Sequence, residues 1–290
     1  MSAFDYAEMT TRNRGFVTEA EQARLRAATV FIPGVGGMGG AALMALLRAG
    51  VGHFVIADID VFEVSNLNRQ LFATLDTVDR QKAEAARDGA LRINPEAQVE
   101  VLGAEWTEQL DAILGKVDVV VNGMDDAAAG VHLYRRAKVH GRTVIDAYAS
   151  PLPSVTRVGP DAPRLEERLR YPTVGVDWQA VTPDMKIACL MSEIEYVLTH
   201  SSSHKYVDLD VAGEVASGKR SRFSFSTMVT IAGMMMAEEA MRVILDRADG
   251  TDHRGWFFNS HAGRVERPLP ALVALPKRLL VRRFMKQLIG

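Results

Sequence analysis

The chain has 290 residues, 48% of them hydrophobic, and a net charge of −2. That excludes a disordered chain, gives enough apolar material for one large domain or two small ones, and leaves no overall pull toward nucleic acid or anionic membranes. The lone cysteine, Cys189, excludes an intramolecular disulfide and a zinc site of paired cysteines.

The polar, mixed-charge N-terminus reads as no secretory signal, and no run of about twenty apolar residues offers a membrane span. A cytoplasmic protein is expected. Residues 2–26 read as a helical arm in two pieces. Thr18 and Glu21 form a capping-box pattern, and Arg12 and Arg14 lie on a loop ahead of it.

Ala28–Ile32 is short, apolar and β-branched, as a buried parallel strand should be. The spacing Gly34-x-Gly36-x-x-Gly39 then opens a helix over Ala41–Ala49. It leaves backbone N–H groups bare at a helix N-terminus, where an anion is stabilised. His53–Ala57 is the second strand. Asp58 follows at its end, where a ribose hydroxyl is usually held, so the anion is expected to belong to a nucleotide.

A polar loop over Asp60–Phe72 carries Asn66, Asn68, Arg69 and Gln70, and Lys82 starts a helix that runs to Ile93 and stops at Asn94-Pro95. Arg69 and Lys82 bring two cations beside the glycines. A triphosphate needs that countercharge more than a pyrophosphate bridge does; the plain alternative is solvated surface bases. Further strands are expected at Val99–Leu102, Val117–Asn122 and Arg142–Ala147. Asp125, just past a strand end, is placed to hold magnesium on the phosphates, and Asp126 suits the N-cap of a helix over Ala127–His140. Asp146 ends near the same edge.

After Ser150, repeated prolines break the pattern. Ser154–Val158 reads as an added antiparallel strand and Arg164–Arg170 as a mobile charged surface stretch. Ser201–His204 and Gly218–Arg222 read as loops, and substrate recognition is expected in this region. His200 and His204 are four apart without an accompanying acid, so a metal site there is not expected. Phe225–Ala248 reads as one long helix or a pair, with Met234, Met235 and Met236 in the core. Trp256–Asn259 and Val265–Arg267 read as closing strands. The tail Lys277–Ile289 sets Leu280, Phe284 and Leu288 on one face, near Arg282, Arg283 and Lys286. It is expected to dock on the protein's own body, with contact to a membrane surface or a partner as the alternative. The division is an arm over 1–27, a nucleotide-binding core over 28–150, and a substrate-recognition segment with the long helix and tail over 151–290.

The glycine loop at 34–39, the stretch Ser65-Asn66-Leu67-Asn68-Arg69-Gln70, Lys82 and Asp125 occur in the order seen in the ThiF/MoeB/HesA family, bacterial relatives of ubiquitin-activating enzymes, which this chain resembles. The resemblance implies an α/β fold: a Rossmann-like, mostly parallel sheet flanked by helices, with added antiparallel strands toward the C-terminus. It implies an ATP- and magnesium-dependent adenylyltransferase, usually a homodimer, that activates a carboxylate as an acyl-adenylate and releases pyrophosphate. By position, Gly34, Gly36, Gly37 and Gly39 would form the nucleotide loop and Asp58 would bind ribose. Asn66, Arg69, Gln70 and Lys82 would contact the phosphates, and Asp125 would hold magnesium. Arg12, with Arg14 in reserve, would reach into the partner subunit's site.

The family's zinc-binding cysteine pairs are missing, so no zinc is expected, and Cys189 is expected to be a buried structural thiol. The carboxylate would belong to a small carrier protein, a peptide, or a tRNA-borne group, the last being the only route to nucleic acid. Two other readings stand beside this one: a nicotinamide-dependent oxidoreductase, and a non-catalytic nucleotide-binding module.

Overall fold

The structure, a computed structural model, describes residues 4–216, 219–220 and 223–289. Its centre is an eight-stranded sheet: β1 (Thr29–Pro33), β2 (His53–Ala57), β3 (Gln98–Leu102), β4 (Val119–Val121), β5 (Val144–Asp146), β6 (Ser154–Val158), β7 (Trp256–Asn259) and β8 (Arg264–Glu266). The order is β3-β2-β1-β4-β5-β6-β7-β8. The first five strands are parallel and the last three join antiparallel. Strand order reverses between β1 and β4, and the crevice past the carboxyl ends of such strands is where open α/β sheets bind ligands.

Both faces of β1, β2, β4 and β5 are covered, which is why those strands read as apolar runs, whereas the edge strand β3 alternates with exposed Gln98 and Glu100. Val30, Ile32, Phe54, Ile56, Val119 and Val121 pack with Leu43, Leu46, Leu47 and Met236 on one face. Phe31, Val55, Val120 and Val144 pack with Trp106, Leu110, Ile113 and Tyr134 on the other. A third cluster gathers Tyr148, Leu152, Leu169, Tyr171, Cys189, Tyr196 and Phe257. Cys189 is buried there, and burial first, then nearby acids, pushes its thiol up to about 11, so it is an unreactive thiol at neutral pH.

The helices are α1 (Tyr6–Met9), α2 (Glu19–Ala27), α3 (Gly37–Ala49), α4 (Lys82–Leu91), α5 (Trp106–Lys116), α6 (Ala127–Val139), α7 (Leu165–Leu169), α8 (Pro183–His200), α9 (Leu209–Ala216), α10 (Ser226–Ile244) and α11 (Ala271–Ile289). The Thr18–Glu21 capping box starts α2 as expected. Helix α3 begins at Gly37 rather than Ala41, so the last glycines are its first turn. The long helix after Phe225 is one piece; Met236 is fully buried in it while Met234 is 39% exposed, so only part of the methionine run is core.

The expectation for Arg164–Arg170 is corrected in part. Leu165–Leu169 form α7, and although Arg164, Glu167 and Arg170 stay exposed, Glu166 is buried, accepting from Arg135 Nε at 2.9 Å and Nη2 at 2.7 Å and from Thr173 Oγ1 at 2.7 Å. Helix α8 was hidden by Pro183, which stands in its first turn behind the Thr182 cap, where its missing N–H costs nothing. Helix α5 was likewise not anticipated. The tail forms α11 and docks on α8, with Arg278 and Arg282 paired to Glu195 at 2.9 and 2.7 Å. The docked side carries Val281, while Leu280 is 69% exposed, so the apolar face drawn through Leu280 is corrected; the Leu288 side chain lies outside the described residues. So do Gly218, Ser221 and Arg222 of the expected loop. No helix among the described residues is long and apolar enough to cross a membrane.

Candidate functional site

The glycine loop joins β1 to α3 at the reversal point. Gly34 has φ +83°, a conformation that favours glycine, and a Cβ on it would stand 2.6 Å from the Gly123 carbonyl carbon. A Cβ on Gly39 would lie 1.9 Å from the Gly34 oxygen. These glycines therefore hold the β1 and β4 loops backbone to backbone. Gly37 has Val229 of α10 against it, at 2.4 Å from a notional Cβ. Gly36 is different. A Cβ on it would lie 3.5 Å from Gln70 Nε2, an ordinary contact.

Asp58 ties this loop to the next. Its Oδ2 accepts from Val35 N at 2.9 Å and its Oδ1 from Asp60 N at 3.0 Å. Burial raises its carboxyl above the usual range, opposed by the Asp60 N–H, the Lys82 charge and the Val35 N–H. Lys82, nearly buried at the first turn of α4, donates to Asp60 Oδ2 at 2.8 Å.

The loop Ser65–Gln70 is shaped by its own side chains. Asn66 Oδ1 accepts from Glu63 N at 3.1 Å, and its Nδ2 donates to Ser65 Oγ at 3.3 Å. Arg69 Nη1 donates to the Ser65 carbonyl at 2.9 Å and to Asn68 Oδ1 at 2.8 Å. Asn68 Nδ2 reaches the Ser224 carbonyl at 3.1 Å, joining the loop to the entrance of α10. Gln70 is buried beside Gly36, and its Oε1 is sealed from solvent with no hydrogen-bond partner. An orphaned acceptor against an open glycine is what a polar ligand group would satisfy.

Asp125 lies two residues beyond Gly123 and is exposed. Asp126 caps α6 by accepting from Ala129 N at 2.8 Å, and Lys186 at the start of α8 pairs with its other oxygen. Among the described residues no three His, Cys, Asp or Glu side chains stand together as a metal cage. His200 is buried with Nδ1 accepting from Leu269 N at 3.1 Å.

Arg12 is not brought to this crevice. It sits exposed in a single 3₁₀ turn, Thr11–Asn13, and the neighbouring Asn13 donates to the Ala49 carbonyl at 3.1 Å, at the C-terminal end of α3. Thirteen helical residues, about 20 Å, separate that end from Gly37. Arg14, also exposed, pairs with Glu19 at 3.2 Å.

Sequence reasoning missed two parts of the site. One is the roof formed by Val229 and Ser224, and the other is Lys186 on Asp126. Each comes from a segment far along the chain and carries no local signal. A third part, Asp146, was placed at the edge without its partners: Asn122 Nδ2 and Tyr134 Oη donate to its Oδ2 at 2.9 and 2.7 Å.

Comparison with known proteins gives a consistent picture. A model of the ThiF family matches residues 10–272. The molybdopterin-synthase adenylyltransferase of Escherichia coli K12 is 37% identical over 116 residues, covering 40% of this chain and 46% of that protein. The sulfur carrier protein ThiS adenylyltransferase of Escherichia coli K12 is 33% identical over 139 residues, covering 48% and 52%. The chain thus spans about half the length of these curated relatives. In fold it is similar to the E. coli tRNA N6-threonylcarbamoyladenosine dehydratase solved in complex with AMP, with TM-score 0.58 and 19% identity over 83% of this chain and 96% of the other.

Proposed function

The chain belongs to the ThiF family, and we propose that it is an adenylyltransferase that activates a carboxylate with ATP and magnesium, releasing pyrophosphate. The observation that carries this reading is the crevice itself. At the end of β1 the glycine loop meets the orphaned Gln70 acceptor and Asp58, which Val35 N bonds, and Lys82 pairs with the neighbouring Asp60; Arg69 adjoins Gln70 in the chain and Asp125 follows Gly123, whose backbone packs on Gly34. A relative named for adenylating a carrier protein, and a similar fold solved with AMP, support it.

Each residue has a role in this proposal. The N–H groups at the start of α3 and the Arg69 and Lys82 cations take the phosphates, with Asn66 and Gln70 lining that path; Asp58 takes the ribose. Lys82 would exchange part of its pairing with Asp60 for phosphate oxygens. Magnesium, when bound, would rest on Asp125 together with phosphate oxygens and water, as this ion usually does, and would neutralise developing charge. The attacking carboxylate is already ionised near pH 7 and needs no general base, so catalysis is positioning and electrostatics.

Arg12 stands too far from its own crevice to serve it. The proposal therefore gives it to the site of a second copy in a homodimer. The acyl substrate is the carboxylate of a small carrier protein or peptide.

Titration with ATP–magnesium and separately with NAD tests the assignment. Saturable ATP binding that Arg69→Ala and Asp125→Ala weaken is expected. NAD binding in place of ATP would return the chain to the oxidoreductases, and a folded protein that binds neither would make it a scaffold.

A further inference from the structure

Asp125, the side chain given magnesium above, is exposed and makes no hydrogen bond or ion pair among the described residues. Its place is therefore set by the backbone on either side of it. On the C-terminal side, Asp126 is fixed by capping α6 and by its pairing with Lys186. On the N-terminal side the sheet ladder runs out. Asn122 N donates to the Ile145 carbonyl and Gly123 N to the Pro33 carbonyl, each at 2.8 Å. Met124 N lies beyond the ladder and donates instead to a side chain, Asn122 Oδ1, at 3.3 Å.

This contact fixes which way the Asn122 amide faces. Its oxygen must meet Met124 N, so its Nδ2 needs an acceptor on the other side. That acceptor is Asp146 Oδ2, at 2.9 Å. The carboxylate is itself held by Tyr134 Oη at 2.7 Å on the same oxygen and by Ala147 N at 2.7 Å on the other. An amide turned over would set donor against donor at Met124 and oxygen against oxygen at Asp146. Two direct hydrogen bonds thus run from Asp146 through Asn122 to the residue before Asp125.

The surroundings do not call for this polarity. Asn122 and Tyr134 are buried, and Val144 and Ile145, just before Asp146, pack in the apolar core. Polar groups here carry a desolvation cost that apolar side chains of the same shape would not. What the network supplies is a loop of fixed shape beside the glycine loop, where Gly123 packs on Gly34. We propose that Asp146 is a positioning residue for Asp125: it sets the Asn122 amide, and the amide sets the backbone that carries the Asp125 carboxylate. The inference rests on the adenylyltransferase reading, which gives Asp125 its magnesium.

Calorimetric titration of the full chain with α,β-methylene ATP, in EDTA and in magnesium, tests it. Wild-type protein is expected to bind the analogue more tightly with magnesium, and Asp125→Ala should lose that gain. Asp146→Ala and Asn122→Ala should each reduce the gain about tenfold, as loss of a residue that orients a metal ligand does, with the affinity in EDTA unchanged. Asp146→Asn keeps a carbonyl oxygen for both Asn122 and Tyr134 and should keep most of the gain. In the Asp125→Ala background, Asp146→Ala should change nothing further. If Asp146→Ala does not fold, Asn122→Ala carries the expectation, because it leaves Tyr134 and Ala147 N on the carboxylate. The inference is overturned if the alanine variants keep the wild-type gain, weaken binding equally in EDTA, or add their effect to that of Asp125→Ala. It is also overturned if Asp146→Asn falls as far as Asp146→Ala, since charge and not orientation would then be at work. A wild type whose affinity ignores magnesium removes the role of Asp125 and the inference with it. A wild type that does not bind the analogue refutes the adenylyltransferase reading itself.

Discussion

A Cβ on Gly123 would stand 2.1 Å from the Gly34 carbonyl oxygen. The loops after β1 and β4 therefore meet with no room for a side chain, at the point where the strand order reverses. Gly123→Ala and Gly39→Ala should each cost about 2–3 kcal/mol or more, because the obstacle is backbone and not a flexible side chain. Urea unfolding of the ligand-free protein reads this directly, and wild-type stability in either variant would mean the two loops can separate.

Gln70 predicts the opposite sign. Its buried Oε1 has no partner, so replacing the amide by a methionine of similar length should leave the ligand-free protein as stable or up to about 1 kcal/mol more stable. The same change should weaken ATP binding about tenfold. Melting curves with and without ATP–magnesium check both halves; a strongly destabilised Gln70→Met would show that the amide serves the fold.

Much of this crevice could be read from the chain because its parts are local. The glycine spacing, Asp58 and the Ser65–Gln70 loop lie within about forty residues of one another, and the turn chemistry of Asn66 is written in its immediate neighbours. The remainder could not be read because its reasons lie at a distance. Glu166 is buried only because Arg135, 31 residues earlier, comes to meet it. Asn68 meets Ser224 across 156 residues, and Lys186 meets Asp126 across 60. Charged composition suggested a solvated stretch at Arg164–Arg170, but composition carries no record of partners. Pro183 suggested a break and instead begins a helix.

His200 predicts a pH dependence. Burial first, then the charges of Arg278, Lys277 and Arg254, push its imidazole down to about 4 from 6.5. The unfolded chain binds the proton more readily, so stability is full above pH 6.5 and is lost as the pH falls toward 4. At pH 5 the loss from this group is about 2 kcal/mol. Unfolding midpoints at pH 5 and pH 8 measure it. His200→Asn, which keeps an acceptor for the Leu269 N–H, should flatten the difference.

Arg12 predicts complementation between copies. Arg12→Ala and Asp125→Ala should each be inactive alone if each site takes Arg12 from the other subunit. Mixed and re-equilibrated, they should recover about a quarter of wild-type activity, from mixed dimers with one intact site each. No recovery on mixing would place both residues in service of a single chain.

The most direct measurement is exchange of labelled pyrophosphate into ATP, run against a panel of peptide C-termini and small carboxylic acids. Wild-type protein should catalyse exchange that depends on one member of the panel, and Arg69→Ala and Asp125→Ala should reduce it to background. Undiminished exchange in both variants would contradict the account of this crevice as the adenylating site.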